Sequence, residues 1–161
     1  MFEVEHVTWL SAAPLRVWTA LSDLAGFARW HPFIRLSGAA VEGGAIGYTF
    51  NTTFLRNAMT APATITHCRK PEEIGWKTGM PGLLMFEEAF RIDAITSGTQ
   101  MRHSTRCWGP FSRVATSKLK GRILASMEEA DRAFERYLRP GAPLGRRQSR
   151  VDRRIAKRKA H

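Results

Sequence analysis

Hydrophobic and polar positions alternate from the first residues of the chain. Phe2, Val4, His6 and Thr8 share one face of an extended segment, and Val7 and Trp9 take the other. This predicts a strand over Phe2 to Leu10. Ser11-Ala12-Ala13-Pro14 then opens a helix, because proline suits a first turn whose N–H has no partner. Val17, Trp18, Leu21 and Leu24 follow at helical spacing. Gly26 and Pro32 bracket a second short helical piece or loop that holds Phe27, Trp30 and Phe33.

From Ile34 to Trp108 the period falls to two. Ile46, Tyr48, Phe50 and Thr52 alternate after a Gly43-Gly44 turn, and Ala63 and Ile65 alternate in the next strand. Pro71-Glu72-Glu73 turns the chain into Ile74-Gly75-Trp76. Phe86, Glu88, Phe90 and Ile92 share a face of a longer strand, which Thr96-Ser97-Gly98 turns back into Met101, His103, Thr105 and Cys107. A two-residue turn at Ser97-Gly98 pairs Ile92 with His103 and Phe90 with Thr105. Six strands with hairpin-length links follow one another. Gly109-Pro110 ends them.

A long helix is predicted from about Ser112 to Leu138. Its stripe of Ala115, Leu119, Ile123, Met127, Ala130, Phe134 and Leu138 keeps one apolar face throughout. Gly121 costs that helix about 1 kcal/mol relative to alanine, which suggests a close approach to the sheet. The order is strand, two short helices, six strands, long helix. Segregated helices on an antiparallel sheet make an α+β fold. A seven-stranded sheet curls around the long C-terminal helix, and that helix fills only part of the concave face. The remainder is packed side chains or a cavity.

This order, together with Pro14-Leu15-Arg16-Val17-Trp18, Leu21-Ser22-Asp23-Leu24, Phe27-Ala28-Arg29-Trp30-His31-Pro32-Phe33 and Gly98-Thr99…His103…Gly109, resembles the SRPBCC superfamily. That is the helix-grip fold of START lipid-transfer domains, the birch-pollen allergen family and the polyketide cyclase/dehydrase and lipid transport branch, which the chain resembles most. The resemblance spans about residues 1–138. It implies a deep apolar cavity between sheet and long helix that holds a hydrophobic small molecule. The branch contains both carriers and cyclases, so fold alone does not assign chemistry.

Charge divides the chain in two. Residues 139–161 carry nine Lys/Arg against one Asp, net +8, whereas residues 1–138 carry sixteen Lys/Arg against thirteen Asp/Glu, net +3. The break falls at Arg139-Pro140-Gly141-Ala142-Pro143, which no helix continues through. The body is a near-neutral domain, and the rest is a basic, flexible tail unable to bury enough surface to offset its ordering entropy. Attraction of that tail to nucleic-acid phosphates or an anionic membrane is one reading, and a solvated tail is the other. Two cysteines make no disulfide scaffold. The acidic start Met-Phe-Glu-Val-Glu lacks the base of a signal peptide, and no apolar run reaches the ~20 residues of a membrane span, so a cytoplasmic location is expected.

His103 is the foremost candidate for chemistry, with Glu88 and Thr105 on its face. It reads either as a polar anchor or acid/base, or as a hydrogen-bonded core histidine. Glu88 stands several residues from the position predicted opposite His103, which leaves a direct bond open. Trp30, Tyr48, Phe50, Trp76, Phe86, Phe90, His103 and Met127 are the expected ligand contacts, a set that equally describes a packed core. Trp30-His31-Pro32 reads as a gate over one mouth or as a plug of the core end. No metal site is expected: the five histidines include no helical i,i+4 pair, and neither Cys68 nor Cys107 has a Cys-x-x-Cys partner. No phosphate loop, dinucleotide fingerprint or nucleophile elbow occurs, and no cofactor is expected.

Three functions therefore compete. One is binding or carriage of a lipid- or polyketide-like hydrophobic molecule. The second is a cyclase/aromatase-type enzyme using His103, with Glu88 or Tyr48, for proton transfer. The third is association with nucleic acid or anionic membrane through the tail.

Overall fold

The structure, a computed structural model, describes residues 1–51, 58–113 and 117–139. Strand β1 (Phe2–Leu10) is followed by α1 (Pro14–Ser22), a 3-10 turn (Leu24–Gly26) and a single-turn α2 (Phe27–Trp30). Six strands come next: β2 (Ile34–Ser37), β3 (Ala45–Phe50), β4 (Met59–Arg69), β5 (Glu73–Met80), β6 (Leu84–Ile95) and β7 (Gly98–Trp108). A second 3-10 turn (Pro110–Arg113) leads to the long helix α3 (Ser117–Leu138). Among the described residues no helix is long and apolar enough to cross a membrane.

All seven strands form one curved antiparallel sheet in the order β1-β7-β6-β5-β4-β3-β2. Strands β2 to β7 meander between neighbours, and β1 closes the far side by pairing with β7. Helices α1 and α2 carry the chain from one edge of the sheet to the other. The alternation read from the sequence appears as burial: Thr99, Met101, His103, Thr105 and Cys107 of β7 all face inward. Val17 and Leu21 of α1, with Leu24 and Phe27, enter the same core as Ile74, Trp76 and Phe90 of the sheet and Phe134 of α3. Each fully buried phenylalanine contributes about 1.5–3 kcal/mol of apolar burial.

Three local expectations are corrected. The β6–β7 turn is at Thr96-Ser97, with Ile95 opposite Gly98, so Ile92 pairs with Met101 and Phe90 with His103. Gly98 serves a different purpose from the predicted turn: its φ is +144°, and a β-carbon there would overlap the Leu10 carbonyl oxygen. The helix start expected near Ser112 is a 3-10 turn instead, where the Ser112 hydroxyl and N–H both bond the Gly109 carbonyl, at 2.7 and 3.0 Å. Gly121 is exposed with nothing within 4 Å of a β-carbon, so no close approach to the sheet explains it. Ala115 of the predicted stripe and the tail residues 140–161 lie outside the described residues.

Candidate functional site

Where the curved sheet and α3 diverge, a cavity of about 320 Å³ remains. Tyr48 and Phe50 of β3, Trp76 and Thr78 of β5, and Phe86 and Glu88 of β6 form its sheet wall. Leu119, Ile123 and Met127 of α3 cover it, and His31 and Phe33 border it from the α2–β2 link. His103 and Thr105 of β7 complete the wall. The alternating pattern explains this lining, because every second residue of β3, β5, β6 and β7 points to the concave side.

Six of the eight expected contacts, Tyr48, Phe50, Trp76, Phe86, His103 and Met127, line this space together with Glu88. The other two do not. Trp30 packs between Phe27 and Phe134, at centroid distances of 4.6 and 4.5 Å, and plugs the core between α2 and α3. Phe90 lies behind His103, stacked on its ring.

His103 is fixed at both nitrogens. Its Nε2 is 3.0 Å from Glu88 Oε1, and its Nδ1 is 2.9 Å from Asp131 Oδ1. The corrected register brings Glu88 within one diagonal step of His103, since Glu88 is opposite Thr105. Asp131 projects from α3 and is itself only 1% exposed. Its second oxygen accepts from His6 Nδ1 at 2.6 Å and from the Thr8 hydroxyl at 3.2 Å. The result is a buried chain His6–Asp131–His103–Glu88, running from a partly exposed imidazole on β1 to a carboxylate on the cavity wall.

The electrostatics follow from this geometry. Burial pulls the His103 imidazole down, but hydrogen bonds and charge from Asp131 and Glu88 outweigh it and raise the pKa to about 9. Burial likewise pushes Asp131 up, and its bonds to His103 and His6 more than reverse this, leaving it below the usual carboxylate range. His31 is the opposite case. Burial, then the charges of His103 and Arg35, push it down to about 3, with Asp131 opposing. Its Nδ1 accepts the backbone N–H groups of Phe33 and Ile34, at 3.2 and 3.0 Å, so a neutral ring carries its proton on Nε2. Burial and the nearby Glu88 hold the Tyr48 hydroxyl protonated far above its ordinary range.

Sequence reasoning missed Asp131, His6 and the part played by His31. For Asp131 a signal existed. It stands four residues after Met127 and three before Phe134, on the apolar face of α3, where a carboxylate needs a partner. The pairing of His6 with His103 across β1 and β7 had no local signal, since the two are far apart in the chain.

The sequence model described as polyketide cyclase / dehydrase and lipid transport matches residues 1–140. No curated protein matches the chain. Among solved structures, protein CV1439 from Chromobacterium violaceum superposes with a TM-score of 0.70 at 16% identity, covering 86% of this chain and 97% of that one. DynU16, described as a putative protein in the dynemicin biosynthetic locus, gives 0.68 at 16% identity, over 88% of this chain and 49% of that one. Ara h 8.0201 gives 0.67 at 11% identity, over 84% and 96%. At such identities these likenesses concern the fold. The family match over nearly the whole body and the shared helix-grip architecture lead to one assignment: the chain belongs to the polyketide cyclase / dehydrase and lipid transport family of the SRPBCC superfamily.

Proposed function

We propose that this protein binds and carries a hydrophobic small molecule in the cavity between the sheet and α3. The observation that carries this reading is the cavity itself, about 320 Å³ and walled chiefly by Tyr48, Phe50, Trp76, Phe86 and Met127. The volume falls in the roughly 300–1,000 Å³ range of small-molecule sites. That suits a ligand such as a bicyclic aromatic or a single short chain. Polar groups are a minority of the lining, as expected where apolar burial supplies affinity and a small number of groups set orientation.

Native mass spectrometry of the purified chain and titration with an apolar fluorescent probe test this. One bound molecule or one saturable probe site is the expected result, with Trp76→Ala weakening it. A core that takes up no probe overturns the reading.

A second reading, cyclase-type proton transfer, is favoured by the His103 Nε2 to Glu88 Oε1 bond at the cavity wall. His103, raised to about 9, enters such a reaction as the acid rather than the base at neutral pH. Turnover of a polyketide-like substrate that falls ~10²-fold in His103→Gln supports it. Full activity in that variant assigns His103 to structure.

A further inference from the structure

Most polar atoms around the cavity are already engaged. Thr78 donates to the Pro62 carbonyl at 3.0 Å, Ser126 to the Ile123 carbonyl at 2.8 Å, and Thr105 to the Met127 sulfur at 3.5 Å. Both nitrogens of His103 are committed to carboxylates. Four groups of the described lining residues remain open. Glu88 uses Oε1 for His103, and its Oε2 has no hydrogen bond among the described residues. The Tyr48 hydroxyl, the Nε2–H of His31 and the indole N–H of Trp76 have none there either.

The charges around the cavity are unequal. The cation among the described lining residues, His103, is shared by Glu88 and Asp131, and His31 stays neutral. No Lys or Arg is among the described lining residues. Glu88 is half-buried, and bringing a second anion beside it into an apolar space is costly. An ammonium must shed its water for a carboxylate already shared with His103. A neutral hydroxyl donates to Glu88 Oε2 at far smaller desolvation cost, and a carbonyl elsewhere on the ligand accepts from His31.

We infer that the cavity selects an uncharged apolar ligand bearing a hydroxyl or phenol that donates to Glu88, and turns away carboxylates such as free fatty acids. This rests on the hydrophobic-ligand reading and narrows it to a class.

Three probes of one skeleton test it on the full chain by calorimetric titration at pH 7: naphthalene, 2-naphthol and 2-naphthoate. The expected order is 2-naphthol at least tenfold tighter than naphthalene, and 2-naphthoate at least tenfold weaker. Glu88→Gln, checked for folding by its melting curve, removes the charge and keeps an acceptor. It brings 2-naphthoate to within about threefold of naphthalene. Equal affinity for naphthalene and 2-naphthol, or 2-naphthoate binding as tightly as 2-naphthol, overturns the inference while the hydrophobic-ligand reading stands. Failure of all three to bind overturns both.

Discussion

The ring of Phe90 is stacked on the imidazole of His103, with centroids 4.1 Å apart and planes inclined by 24°. Phe90 thus backs the histidine on the side away from the cavity, and its other neighbour is Trp76, at 5.8 Å. An imidazolium over an aromatic face gains electrostatically as well as by packing.

Truncating that ring separates stability from binding. Phe90→Ala costs about 3–5 kcal/mol of unfolding free energy, as for other buried phenylalanines. Trp76→Ala does comparable damage to stability and also removes a cavity wall. Phe90→Leu, a milder change, is expected to leave probe affinity within about threefold while lowering the urea midpoint. A larger loss of affinity than of stability in Phe90→Leu contradicts the placement of Phe90 behind the site.

The titrating groups give stability a peak. His103 has an ordinary value of 6.5 and a folded value of about 9, so its contribution is full below 6.5 and is lost as pH rises through about 9. His31, lowered from 6.5 to about 3, acts on the other side: stability falls as pH drops below 6.5 toward 3. Asp131 adds to that acid limb, because its lowered value stabilises the fold above 3.8 and the gain disappears below it. Urea midpoints measured from pH 4 to 10 are expected to crest near 6.5. In His103→Gln the decline between 6.5 and 9 flattens, and an unchanged alkaline limb in that variant rules out His103 as its source.

Two glycines give opposite responses to alanine. Gly98→Ala forces a β-carbon into the Leu10 carbonyl at a φ of +144°, so a loss above about 2 kcal/mol is expected. Gly121→Ala, exposed on α3 with open space around it, gains up to about 1 kcal/mol of helix propensity. Thermal melts of the two variants check both signs.

Removing residues 139–161 is expected to leave the melt essentially unchanged. The described loss is the Arg139–Glu135 pair at 2.8 Å, an exposed i,i+4 contact of the kind that contributes little. The same two proteins, titrated with duplex DNA and anionic vesicles at two salt concentrations, show what the tail does. Six cations on phosphates give a log–log salt slope of about −5 in the full chain alone. Equal, weak binding by both proteins makes the tail a solvated segment.

The sheet and α3 were legible because burial repeats every two residues in one and every 3.6 in the other. Phe86, Glu88, Tyr48, Trp76 and Met127 could be placed on the concave side from that periodicity alone. The precise β6–β7 register was not legible, since Ser97-Gly98 satisfies turn chemistry as well as Thr96-Ser97 does. What decides between them is the Leu10 backbone packed against Gly98, a contact distant in sequence. Trp30 and Phe90 show the limit of such a reading: periodicity tells which face a side chain takes, but not whether cavity or core lies beneath it. Asp131 was not legible because periodicity marks an apolar stripe by its hydrophobic members, and a charge standing among them leaves the stripe intact.

Strand β1 lies beside β7, so His6 sits opposite His103. A chain emerging from the ribosome can zip β2 through β7 hairpin by hairpin, each closing a short loop. The first strand has to wait for the last, and the helix bearing Asp131 comes later still. The hydrogen-bonded chain that reaches the cavity wall is thus assembled only when both ends of the domain have met. Until then β1 and the exposed side of β7 are open strand edges, the places where a nascent chain is most prone to pair with a neighbour. Completion of the fold and arming of the site are one event.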